Sequence, residues 1–154
     1  MTTRAASTFY DFVDHPLSQL RPWDSAIITT MRIWAKGAMA RTCPVRLIAP
    51  RFMLSGNSEA LMPFHTFMIT LGRTAARAVG LNAQEDGPIT EDQAFIFAAF
   101  ASIQNRDIHS ARLALASLIQ ADGLGVLINK AVIFVNRSQS SLRTESDFRA
   151  KRQA

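Results

Sequence analysis

One cysteine, one tyrosine and four glutamates stand among the 154 residues, and each shortage closes off a class of protein. A lone Cys43 makes no intramolecular disulfide, so a stapled extracellular scaffold is excluded. Few glutamates and no Glu-x-x-His exclude the ferritin-like carboxylate bundle, which needs that motif on two of its helices. The three histidines, His15, His65 and His109, form no His-x-x-x-His pair, and no Cys-x-x-Cys is present. No metal site or cofactor is expected on these grounds. Long apolar runs are lacking as well. Ala94–Ile103 and Leu124–Val135 are the longest, the second interrupted by Asn129 and Lys130, and both fall short of the ~20 residues that span a bilayer. Asp11 and Asp14 interrupt the start of the chain before an apolar run of signal-peptide length. A soluble, cytoplasmic protein without a membrane span is the expectation.

What the chain has is apolar content, at 48% hydrophobic residues, and a formal net charge of +5 from 17 basic and 12 acidic side chains. This length suits one domain and buries roughly two-thirds of the unfolded surface without a staple. Residues 1–20 are weakly patterned and read as an N-terminal arm. Residues 21–137 read as a single helical domain, and 138–154 as a polar, flexible C-terminal tail.

Within the domain the spacing is helical. Ile27, Met31, Trp34 and Ala38 share one face of a helix opened by Pro22, with Ser25, Thr29, Arg32 and Lys36 on another. Residues 42–57 hold Pro44, Pro50 and a Ser55-Gly56-Asn57 turn, and read as an irregular but strongly apolar loop. A third segment runs from Ser58 to about Val79 with Phe64, Met68, Leu71 and Ala75 inward and Thr66, Thr70, Arg73 and Arg77 outward, stopping at a left-handed Gly80. Thr90-Glu91-Asp92-Gln93 is a capping box before Ala94–Ile103, a stretch apolar nearly all round and therefore central. Asn105 is placed for the left-handed position of a tight connection, and Asp107 caps the next helix, closing an αα-hairpin. A last apolar helix spans Gly125–Arg137. The expected fold is all-α, a compact bundle of about five helices built around that hairpin.

Motifs for chemistry are thin. Gly123-Leu124-Gly125 lacks the lysine and preceding strand of a phosphate loop and reads as a helix stop followed by a start. No Gly-x-Ser-x-Gly is present. Cys43-Pro44 matches the dipeptide of haem-regulatory sites, but a buried structural thiol fits it better. Asp107 beside His109 reads as a cap before it reads as an acid–base pair. No catalytic residue is assigned, and the reading leans away from an enzyme.

Charge and aromatics carry more. Residues 21–77 are net +6, 78–128 net −4 and 129–154 net +4, a basic–acidic–basic alternation. Arg32, Lys36, Arg73 and Arg77 are expected as one cationic ridge for an acidic protein, an anionic headgroup or nucleic acid. Ten phenylalanines exceed what one small domain readily encloses. The leading expectation is a non-enzymatic interaction or regulatory protein that self-associates as a homodimer. The alternative is a helical binder of a hydrophobic small molecule, lined by Phe64, Met68, Phe95, Phe97 and Phe100. Nucleic-acid binding through the ridge comes third.

Overall fold

The computed structural model describes residues 18, 20–81 and 87–152 of the chain. The expected N-terminal arm therefore lies almost wholly outside the described residues. Among the described residues six α-helices follow one another: α1 (Pro22–Met39), α2 (Pro44–Leu54), α3 (Leu61–Thr74), α4 (Glu91–Gln104), α5 (Ile108–Ala116) and α6 (Leu124–Arg152). A 3₁₀ turn, Ser58–Ala60, leads into α3. No strand occurs among the described residues, and the architecture is the expected all-α bundle with α4 and α5 as its hairpin.

The sixth helix arises from a correction. The segment 42–57 is not an irregular loop but carries α2. Pro44 stands in its first turn, where the missing N–H has no intrahelical partner to lose. Pro50 lies inside the helix at a cost of about 3 kcal/mol, but on the exposed face, where the abandoned carbonyl meets water. Burial of Ile48 and Phe52 in the core offsets that cost. The helix then ends in a Schellman motif, with Gly56 at φ +74° and Asn57 N–H donating to the Phe52 carbonyl at 2.8 Å. A Cβ on Gly37 would stand 2.6 Å from Leu47 Cδ1, so glycine is what lets α2 fold back closely onto α1.

Three further boundaries differ from expectation. Helix α3 stops at Thr74, well before Val79, because the chain leaves it extended at Ala75 to form a short antiparallel bridge with Ile119. Ala76 N–H donates to the Leu118 carbonyl at 2.8 Å, and Gln120 N–H to the Thr74 carbonyl at 2.9 Å. Gly56, not Gly80, is the glycine in the left-handed region among the described residues. Arg106 takes the left-handed position at φ +61°, one residue after Asn105. The last helix does not end near Arg137, since its backbone runs on through Arg152.

The capping signals are realised. The Thr90 hydroxyl accepts from Gln93 N–H, and Gln93 Oε1 accepts from Thr90 N–H, both at 3.1 Å. Asp107 accepts from Ser110 N–H at 3.0 Å. Helix α4 is central, with Ala94, Ile96, Ala99 and Phe100 fully buried. Around it runs a chain of rings, Phe52–Phe64–Phe134–Phe100–Phe67, with successive centroids 5.6, 5.3, 5.2 and 5.0 Å apart in tilted or edge-on geometry.

A carboxylate ties the segment after α3 to the start of α4. Asp92 accepts from both terminal nitrogens of Arg77, at 2.9 and 2.7 Å, and from Gly80 N–H, while the Thr90 hydroxyl donates to the Gly80 carbonyl at 2.7 Å. The Arg77 hydrogen bonds hold the Asp92 carboxyl below the ordinary 3.8, burial opposing them in part. A carboxyl whose folded pKa lies below its unfolded one stabilises the fold above the unfolded value. That contribution is lost as pH falls through the folded value. Thermal unfolding followed between pH 6 and 2 is therefore expected to show a drop in midpoint below about pH 4. Asp92→Asn should start from a lower midpoint and show a shallower drop, and equal acid sensitivity in the two proteins would contradict the assignment.

Candidate functional site

The N-terminal half of α1, the C-terminal end of α2 and the middle of α6 diverge around an open cavity of about 870 Å³. Its floor is aromatic because three helices each turn one ring toward it. Phe52 reaches it from α2, Phe64 from α3 and Phe134 from α6, with Ile27 and Trp23 of α1 completing the wall. These positions are legible as the apolar stripes of their own helices. The space arises because Ala26 and Thr30 are small at the point where α1 passes the three rings.

Polar groups are few. The Thr30 hydroxyl donates to the Ala26 carbonyl at 2.6 Å and the Ser138 hydroxyl to that of Phe134 at 3.0 Å, so both protons are committed within their own helices and only lone pairs remain. Asn57 Oδ1 is buried without a hydrogen-bond partner among the described residues. Gln104 closes the side contributed by α4. Two guanidiniums stand at the mouth. Arg21 is tied to Asp24 at 2.8 Å, while exposed Arg51 forms no ion pair among the described residues.

No protein-family model, curated protein or solved structure matches this chain.

Of the five residues expected to line an apolar pocket, Phe64 does so. Met68, Phe97 and Phe100 lie in the core at 1%, 4% and 0% exposure, and Phe95 packs partly buried against it. The residues that sequence reasoning missed, Phe52, Phe134, Trp23 and Asn57, come from elements far apart in the chain. A helix at 44–54 was the missing premise for two of them.

The cationic ridge is corrected. Arg32 does not face outward; it is 1% exposed. Its guanidinium donates to the Gly87 carbonyl at 2.8 Å, the Pro88 carbonyl at 2.9 Å and Gln93 Oε1 at 3.1 Å, fastening α1 to the start of α4. Arg77 lies past the end of α3 and is engaged by Asp92, so it is not one helical turn from Arg73. Lys36 and Arg73 are exposed. Cys43, expected buried, is exposed.

Among the described residues no group of three His, Cys, Asp or Glu side chains could hold a metal ion, and no helix is long and apolar enough to cross a membrane. His65 accepts from Trp34 Nε1–H at Nδ1, 2.9 Å away, and burial pushes its pKa down. Both facts favour the neutral ring and a structural role.

Proposed function

We propose that the protein is a helical binder of an amphipathic small molecule, held between α1, α2 and α6. The observation that carries this reading is the cavity itself. Its volume lies within the range of ligand pockets, its walls are mainly apolar, and polar groups from α1, α2, α4 and α6 are set among them. An alkyl or aromatic body would lie against Ile27, Phe52, Phe64 and Phe134. An anionic end group would meet Arg51 at the mouth, while a hydroxyl or amide donor would satisfy Asn57 Oδ1. Nothing in the lining supplies a nucleophile with a base beside it, so binding is favoured over catalysis.

The expectation of a homodimer rested on aromatic residues too numerous for one chain. Phe52, Phe64, Phe67, Phe97, Phe100 and Phe134 are enclosed within a single copy, so these six rings need no second copy to bury them. The nucleic-acid reading loses two of its four cations to intramolecular bonds.

Trp23 is a built-in reporter of this site. With Trp34→Phe leaving it the sole indole, titration with decanoate is expected to give a saturable change in emission at one ligand per chain. Ala26→Phe, which fills the cavity from its exposed side, should abolish that change while leaving the fold intact. No saturable change up to millimolar decanoate, or an unchanged response in Ala26→Phe, would refute the reading.

A further inference from the structure

Between Ser25 and Ser58 the chain carries five cations and no acidic residue. Arg32 is buried, but Lys36, Arg41, Arg46 and Arg51 are all exposed, and none forms an ion pair among the described residues. Helix α2 also carries, at its C-terminal end, two of the most exposed large apolar side chains among the described residues, Leu54 at 90% and Met53 at 69%. Helix α2 arranges them. At about 100° per residue, Pro50 and Leu54 fall within about 40° of each other on its outward face, while Leu47 lies to the side packed on α1. Arg46 then lies about 40° to one side of this stripe and Arg51 about 60° to the other. An apolar ridge edged by arginines whose stems can reach along it is the arrangement of a helix lying in a headgroup layer.

We propose that this outer face of α2 docks on an anionic lipid surface. Charge decides between occupants. A second copy related by a two-fold axis would set Arg46 and Arg51 against their own images, so like charges would meet across the contact. The chain's exposed acids, such as Glu91 and Asp122, lie on other elements, and pairing them with α2 of another copy would give an open-ended rather than a closed contact. The Leu54 and Met53 side chains stand largely exposed, which suits a deformable surface. Arg51 and Leu54 also border the cavity, so a docked molecule opens its mouth toward the bilayer. The docking itself does not depend on the cavity being occupied.

The test is flotation of the full chain with vesicles of phosphatidylcholine alone or with 30% phosphatidylglycerol. Binding is expected only to the anionic vesicles and should weaken as salt rises, with about a fivefold loss for each arginine neutralised. Arg46→Gln combined with Met53→Gln changes the outer face without touching the cavity lining, and should lower partitioning at least tenfold while the decanoate titration is unchanged. Equal binding to neutral vesicles, no binding to either, or unchanged partitioning in the double variant would overturn the proposal. So would a dimer in light scattering that Met53→Gln dissociates, because the face would then belong to a second copy. Retention of the helical circular-dichroism spectrum and thermal midpoint checks that the variant is folded.

Discussion

Replacement of Arg32 by methionine is expected to cost about 3–5 kcal/mol of stability, among the largest effects of any single change in this chain. Methionine preserves bulk and apolar contact along the stem, so the loss isolates the guanidinium. Its removal strands the Gly87 and Pro88 carbonyls and withdraws one of two donors to Gln93 Oε1. Each acceptor left without a partner costs on the order of 1–3 kcal/mol; two are stranded, while Gln93 Oε1 keeps the Thr90 N–H. Arg32→Lys should recover only part of the loss, since an ammonium on a shorter reach cannot serve three acceptors in a planar fork. For a domain of this size the methionine variant should melt roughly 10–15 °C lower. A shift below about 3 °C would mean that water replaces the guanidinium freely and that the site is not closed.

Phe100→Ala should cost about 3–5 kcal/mol for a different reason. The ring is 0% exposed and lies between Phe67 at 5.0 Å and Phe134 at 5.2 Å, so truncation opens a void that rigid helices cannot collapse around. Phe100→Leu, which keeps most of the volume, should cost under half as much. Urea unfolding of the three proteins measures both values. There is a functional consequence as well. Phe134 is wall of the cavity and neighbour of Phe100, so the alanine variant should loosen that wall and weaken decanoate binding, even at temperatures where it remains folded. An alanine variant that is destabilised but binds decanoate as tightly as the parent would show that the ring chain and the cavity are mechanically separate.

Local signals in the sequence were dependable where one short stretch carried the whole argument. The capping box at Thr90, the Asp107 cap and the Pro22 start all depend on residues within four positions of one another. Judgement failed where a local rule met a tertiary opponent. Two prolines argued against a helix at 44–54, but one took the harmless first turn and the other a solvated face, while Ile48 and Phe52 supplied burial that propensity does not register. Periodicity put Arg32 on a polar stripe correctly, but cannot distinguish a stripe facing water from one facing a set of carbonyls. The helix expected to reach Val79 was cut short by a bridge to residues more than forty positions away. The cavity was the least legible feature, because five elements must be in place before its space exists.

That bridge joins the end of α3 to the turn before α6, and a Cβ on Gly123 would stand 2.6 Å from Thr74 side-chain carbons, so the two segments meet without room to slide. Its two amides, of Ala76 and Gln120, belong to no helix and cannot be opened by fraying of a helix end. Separating them means parting the end of α3 from the turn that leads into α6. Their rates of deuterium uptake will therefore follow the opening of the whole domain, making this pair of protons a clock for global unfolding set in otherwise irregular chain.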